Sequence, residues 1–193
     1  MTDNYYKTKE SVQEYISLAK DVNGGQLIKE LMKYLPNNSS VLEIGTGPGT
    51  DWNILKDNYT VIASDNSSEF LKHLQKTYPS GEFIALDAIS LVTNLKFDGI
   101  YSNKVMHHLQ KSELEESIKR QYDIIGNDGI ICHSFWKGTE SEVFKGLFVQ
   151  YHTKTSIEEH FKGYFETLLI QEYAEFEEGD SILFIGKKKA SPL

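Results

Sequence analysis

Apolar residues recur along this chain with two alternating periods. Within residues 9–35, Val12, Tyr15, Ile16 and Ala19 fall on one helical face and Leu27, Leu31, Met32 and Leu35 on another, with Asn23-Gly24-Gly25 breaking the run between them. Pro36 and the polar stretch after it end this helical hairpin. From there, short apolar runs at 41–44, 61–64, 82–86, 97–102 and 129–134 alternate with helix-length segments. Such alternation predicts a parallel, doubly wound α/β sheet with right-handed crossovers. Two of the helices are expected to start at capping-box pairs, Ser112 with Glu115 and Thr155 with Glu158. The end of the chain breaks the rhythm. Runs at 164–176 and 181–187 are joined by Glu177-Glu178-Gly179-Asp180, which leaves no room for a crossover helix, so they predict a hairpin and one antiparallel terminal strand. Residues 137–154 are less regular and rich in aromatics (Phe144, Phe148, Tyr151), a candidate lid or insert.

With 193 residues, the length suits one ordinary domain, and 39% hydrophobic with 25% charged residues is the balance of a chain that folds. Against 28 Asp and Glu stand 20 Lys and Arg, a net charge of −8, and the only dense basic run is Lys187 to Lys189, read as a solvated strand end. A nucleic acid partner is therefore not expected, since a phosphate-binding surface needs clustered cations. The single cysteine, Cys132, excludes an intramolecular disulfide and a thiolate metal cluster, and a cytoplasmic location fits it. The N-terminal segment is polar, and no apolar run approaches the roughly 20 residues that span a bilayer, so neither export nor a membrane is expected.

The chemistry concentrates in VLEIGTGPGT, residues 41–50: an apolar strand carrying Glu43, then Gly45, Gly47 and Gly49 before a helix. Glycines permit a tight turn and close backbone approach to a nucleotide-like ligand, although turns also recruit glycine for structural reasons alone. The spacing is GxGxG, with Thr50 where a dinucleotide fingerprint has its third glycine. Glu43, two residues before the first glycine, suits a cation better than a pyrophosphate, and a sulfonium ligand with an α-amino group would answer to it. Asp65 ends the second strand, where a carboxylate can accept both ribose hydroxyls or cap the next helix, a task Ser67 could also perform. Asp87, followed by Ala88, ends the third, placed to accept an adenine amino proton or to serve as another cap. Carboxylates at three successive strand ends all lie on the edge where such sheets bind ligands.

On these residues the chain resembles the class I S-adenosylmethionine-dependent methyltransferases, of the small-molecule type. VLEIGTGPG is similar to that family's glycine motif, ASDNS and LDA to its second and third strand ends, FDGIYSNKVMHHL to its FDxIxxxxVLHHL pattern, and IIGNDGIICHSFW to its glycine turn and fifth strand; the resemblance covers roughly residues 35–135. One departure is the turn Asn127-Asp128-Gly129, which keeps one of two usual glycines. The resemblance implies a Rossmann-like, mostly parallel seven-stranded sheet in the order 3-2-1-4-5-7-6 with the last strand antiparallel. It also implies a single domain over 1–193, with a helical cap at 1–36 and the core at 37–193. It implies S-adenosyl-L-methionine as cofactor, with Gly45, Thr46, Gly47 and Gly49 approaching it and Glu43 under its methionine end. Asp65 with Asn66 would hold ribose, Asp87 with Ala88 adenine, and Ser102 would also lie at the cofactor.

Methyl transfer from a sulfonium is an in-line displacement, so positioning carries much of the catalysis and a base is needed only if the acceptor must lose a proton. His107 and His108 follow the fourth strand and are candidates for it; adjacent helical residues diverge by about 100°, so both cannot serve one site, and helix packing is the competing reading. Neither has a second ligand at i, i+4, so no metal site is expected. Tyr5, Tyr6, Tyr15, Phe135 and Trp136 could wall the acceptor or simply pack. The acceptor is expected to be a small molecule offering O, N or S. A protein or RNA acceptor, a non-catalytic cofactor-binding module and a nicotinamide-dependent oxidoreductase on the same sheet stay open as alternatives.

Overall fold

The computed structural model describes Tyr6, residues 8–20 and residues 22–192, so Tyr5 lies outside the described residues. Two helices, α1 (Lys9–Leu18) and α2 (Gly25–Leu31), precede the sheet. Thr8 caps α1, its hydroxyl accepting the Ser11 N–H. Because α2 stops at Leu31, Met32 is 40% exposed rather than continuing the apolar face with Leu27, Ile28 and Leu31. Strands β1 (Ser40–Ile44), β2 (Thr60–Asp65), β3 (Glu82–Ala85), β4 (Phe97–Asn103) and β5 (Ile125–Trp136) alternate with α3 (Trp52–Leu55), α4 (Ser68–Thr77) and α5 (Lys111–Ile124). A small hairpin, β6 (Ser141–Phe144) and β7 (Leu147–Gln150), then α6 (Lys154–Phe161), lead to β8 (Phe165–Tyr173) and β9 (Ser181–Lys188).

The main sheet has seven strands in the order β3-β2-β1-β4-β5-β9-β8. Discounting the separate β6–β7 hairpin, this is the expected order. Neighbours from β3 through β5 run parallel, and β9 runs antiparallel to both β5 and β8. Side chains of these strands alternate between two cores. Leu42, Ile100, Ile131 and Phe184 face one containing Leu114 and Ile118 of α5 and Phe161 of α6. Val41, Tyr101, Cys132 and Leu183 face the other, with Leu27, Ile28 and Leu31 of α2 and Leu55 of α3. Among the described residues, no helix is long and apolar enough to cross a membrane.

Two local expectations, both helix starts, are corrected. Helix α5 starts at Lys111 rather than at Ser112: Gln110 is its N-cap, and the Gln110 N–H donates to the Glu113 carboxylate at 2.8 Å, closing the box two residues early. Likewise α6 is capped by Thr153 with Ser156, not by Thr155 with Glu158. Residues 137–154 hold the β6–β7 hairpin, whose Lys145-Gly146 turn has φ of 50° and 84°, the doubly positive geometry that matches strand twist in two-residue turns.

A polar chain crosses the α5 side of the sheet. The fully buried His133 on β5 accepts at Nδ1 from the Ser102 hydroxyl (2.7 Å) and donates from Nε2 to Gln121 Oε1 (2.8 Å). Gln121 donates on to Ser117, and Ser117 to the Ala88 carbonyl. Burial pulls the His133 imidazole down to about 3, so it is neutral in the folded chain. An unfolded histidine protonates near pH 6.5, so this site contributes stability above that pH and loses it as the pH falls toward about 3, at about 1.4 kcal/mol per pH unit. Urea denaturation of wild type between pH 7.5 and 5 should therefore give falling stability, with a slope about one proton shallower in His133→Gln; equal slopes would contradict a neutral buried His133.

Candidate active site

The first two strands end where the glycine loop begins, and the loop opens onto a cleft of about 370 Å³. Glu43, Gly45, Thr46, Gly47, Thr50 and Asp51 form its inner end. The three loop glycines Gly45, Gly47 and Gly49 have φ of 67°, 52° and 82°, a region that side chains with a Cβ rarely adopt. At Gly47 an added Cβ would meet only Tyr15, at 3.8 Å, so this backbone faces the open cleft. Gly49 lies outside the lining; a Cβ there would come within 2.5 Å of Leu74 on α4, so its role is packing.

Glu43 is 3% exposed and takes one hydrogen bond from the Thr46 hydroxyl, at 2.9 Å. Burial, and next the neighbouring Asp51 carboxylate, push its carboxyl well above the usual range; Thr46 only partly offsets them, and Asp65 adds to the rise. A buried carboxylate amid carboxylates is stabilised by a cation. Asp51 organises the surrounding backbone. It accepts the Gly24 N–H (2.6 Å), the Tyr101 hydroxyl (2.7 Å) and the Asn103 amide (3.0 Å), joining the α2 start, β4 and the glycine loop. Gly24 is required there, because a Cβ would lie 2.1 Å from the Tyr101 oxygen.

Asp65 and Asp87 stand farther along the same edge, outside the cleft lining. Asp65 accepts the Gly47 and Ser67 N–H groups at 2.9 and 2.8 Å, so one carboxylate steadies both the loop and the residue that caps α4, Ser67, whose hydroxyl accepts the Phe70 N–H, while Asn66 is exposed. Burial raises Asp65 despite those bonds. Asp87 Oδ1 accepts from the Ile89 and Ser90 N–H groups and the Ser90 hydroxyl, the capping geometry, and Ala88 packs against the α5-side core.

The outer end of the cleft is walled by Tyr6 and Tyr15 on the cap side and by Phe144, Leu147 and Val149 of the β6–β7 hairpin on the other. Tyr6 and Tyr15 meet edge to face at 5.3 Å, and the Tyr6 carbonyl accepts the Ser67 hydroxyl, tying this arm to the sheet edge. Lys145 pairs with Glu14 at 2.7 Å across the mouth. Trp136 completes the wall, stacked on Phe176 at 5.9 Å.

Besides Gly49, three expected site residues are corrected. Ser102 is fully buried and bonded to His133: strand alternation places Tyr101 and Asn103 toward Asp51 and turns Ser102 to the α5 side. Phe135 is fully buried against His152 and Phe161 by the same alternation, leaving Trp136 in the wall. Of the two histidines, His107 is 2% exposed and held well below its ordinary range, first by burial and then by His108, so it stays neutral inside the protein. His108 lines the cleft, with Nδ1 2.8 Å from the Phe148 carbonyl.

Asp51, Asn103, Lys104 and Glu175 were missed as site residues, and all four line the cleft. Asp51 alone had a signal, an acidic residue just past a glycine loop. Glu175 reaches the site from the far hairpin, so no local pattern could nominate it.

Residues 41–129 match the family model for a methyltransferase domain. That segment is just under half of the chain, and the fold as a whole is that of the S-adenosylmethionine-dependent methyltransferases. Among solved structures it is similar to the Burkholderia thailandensis 1,6-didemethyltoxoflavin-N1-methyltransferase with bound 1,6-didemethyltoxoflavin and S-adenosylhomocysteine (18% identity, TM-score 0.78, 93% of this chain and 84% of that one). It is also similar to an S-adenosylmethionine-dependent methyltransferase from Clostridium acetobutylicum (15%, 0.75, 94% and 98%) and to the N-methyltransferase NodS from Bradyrhizobium japonicum complexed with S-adenosylhomocysteine (16%, 0.73, 96% and 99%). No curated protein matches. The matched segment holds the carboxylates Glu43, Asp51, Asp65 and Asp87 described above.

Removing the hub should cost stability. Asp51→Ala leaves three donors without their acceptor and should cost on the order of 3 kcal/mol, while Tyr101→Phe, which removes one, should cost about 1 kcal/mol, both read by urea denaturation. Equal, negligible losses would contradict the hub.

Proposed function

We propose that this methyltransferase domain moves a methyl group to a small molecule held between α1 and the β6–β7 hairpin. The observation that carries the reading is the Glu43 carboxylate, buried beside Asp51 under a loop whose Gly47 backbone is open to the cleft. That arrangement fits S-adenosylmethionine, which supplies an electrophilic methyl on a positively charged sulfur. Glu43 and Asp51 offer negative charge to the cationic methionine end, and the Gly45–Gly47 backbone lies against it. Asp65 is proposed to take the ribose hydroxyls with Asn66 beside it, through the carboxylate lone pairs that Gly47 and Ser67 leave over. Asp87 and Ala88 are proposed at the adenine, the cap of the following turn fixing the carboxylate in place.

On the acceptor side Tyr6, Tyr15 and Trp136 form the wall, and His108 is the proposed base. Its Nδ1 donates to the Phe148 carbonyl, which fixes the ring at the cleft wall. Bound S-adenosylmethionine would supply the methyl group to an acceptor X–H and be left as S-adenosylhomocysteine, and His108 would take the X–H proton and pass it to water. A cleft with aromatic walls favours a small acceptor over a polymer, and the net charge of −8 argues against RNA.

Isothermal titration with S-adenosylhomocysteine is the test. Wild type should bind, and Asp65→Ala should bind about tenfold or more weakly, as expected for one lost charged hydrogen-bond pair. No heat from folded wild type would refute the reading. Once an acceptor is in hand, His108→Gln should lower kcat on the order of a hundredfold with unchanged S-adenosylhomocysteine affinity.

A further inference from the structure

The outer end of the cleft contains a charged pair, Lys104 and Glu175, set into an apolar wall. Lys104 follows β4 in a left-handed turn (φ 55°), its N–H donating to the Ser134 hydroxyl. Its ammonium lies 3.6 Å from the centre of the Trp136 ring and donates to the Ser181 hydroxyl (2.6 Å) and the Phe135 carbonyl (3.3 Å). Two of its three N–H bonds are thereby used. The nearest carboxylate, Glu175, is 4.0 Å away, beyond hydrogen-bond length, and the two side chains are only 14% and 9% exposed. Glu175 is itself held rigidly: Asp180 accepts the backbone N–H groups of Glu175, Phe176 and Glu177. Both Lys104 and Glu175 line the cleft.

We propose that Lys104 and Glu175 together recognise the methyl acceptor, and that the acceptor is a flat, neutral, mainly apolar ring compound presenting a hydrogen-bond acceptor beside a donor on one edge, as in a cyclic lactam or its enol form. The inference rests on the methyl-transfer reading and names the substrate class of that site.

The charge pattern selects this class. An anionic acceptor at Lys104 would meet the Glu175 carboxylate, and a cationic one at Glu175 would meet the ammonium, each repelled in a partly dry pocket. A neutral edge with C=O next to N–H or O–H satisfies both: Lys104 donates its third hydrogen to the carbonyl, and Glu175 accepts from the donor. The 4.0 Å gap lets two bonds of about 2.9 Å converge on neighbouring ring atoms. Burial lowers Lys104 to about 8 while Glu175 and Asp180 hold it up, so it stays a donor at neutral pH. A ring lacking this edge would leave buried polar groups poorly paired, the strongest available basis for rejecting a near-isostere. The body of the ring would lie among Trp136, Leu147 and Val149, whose surfaces offer no competing polar group beyond the indole N–H.

The test uses protein saturated with S-adenosylhomocysteine and three flat bicyclic probes: 2-quinolone, its N-methyl derivative without the donor, and indole, which keeps an N–H and lacks the carbonyl. Binding is read by calorimetry. Wild type should bind 2-quinolone at least tenfold more tightly than either control. Glu175→Met should abolish the preference over N-methyl-2-quinolone, and Lys104→Met the preference over indole, with S-adenosylhomocysteine affinity unchanged. The double variant removes both charges together, leaves neither uncompensated, and should bind all three probes alike; it decides the matter if a single variant does not fold. Equal binding of the three probes by wild type, or a preference that survives in the double variant, overturns the proposal. A protein that binds S-adenosylhomocysteine but not 2-quinolone loses this inference alone, whereas one that does not bind S-adenosylhomocysteine loses the methyl-transfer reading and this inference with it.

Discussion

The site depends on the Asp51 carboxylate. It is 7% exposed and accepts from Gly24, Tyr101 and Asn103, donors brought together from the start of α2, the middle of β4 and its end. A buried carboxylate with three donors is well satisfied, and it leaves little freedom to the segments that supply them. The same group sets the electrostatics of the cleft. Its charge is among the forces holding the Glu43 carboxyl above the ordinary range, so the interaction that anchors the helical cap also prepares the inner end of the cleft for a cation.

Strand alternation then sorts neighbouring residues between architecture and chemistry. Tyr101 and Asn103 turn toward Asp51, and Ser102 between them turns into the hydrogen-bonded chain that runs through His133 and Gln121 to Ser117 and the Ala88 carbonyl. At the end of β5, Phe135 enters the α5-side core and Trp136 enters the cleft wall. The buried chain is not idle scaffolding. By ending on Ala88, beside the Asp87 cap, it fixes the strand-end segment proposed for adenine to helix α5.

The two walls of the outer cleft come from segments more than 100 residues apart, the first helix and the β6–β7 hairpin. Their ion pair, Lys145 with Glu14, joins side chains 39% and 52% exposed, and such a pair contributes little on its own. The apolar surfaces of Tyr6, Tyr15, Leu147, Val149 and Trp136 are what enclose a ligand there. Phe144 and Phe176, 59% and 69% exposed at the rim, extend that apolar surface outward.

Sequence alone determined a doubly wound sheet with an antiparallel terminal strand, because period-two and period-3.6 patterns and the short β8–β9 connection allow few topologies, while the strand order was implied by the family resemblance. It also located the glycine loop and the strand-end carboxylates, since these chemistries depend on residue type at short spacing. Helix starts slipped by a residue or two because a cap depends on local geometry that several polar residues can supply, as Gln110 and Thr153 do. Only the tertiary structure decided between His107 and His108, between Phe135 and Trp136, and against Ser102, since adjacent residues carry the same sequence signal and differ only in the side of the chain they face. Only tertiary structure, too, brought Glu175 to Lys104 across 71 positions, because a pairing between distant strand ends has no local pattern to announce it.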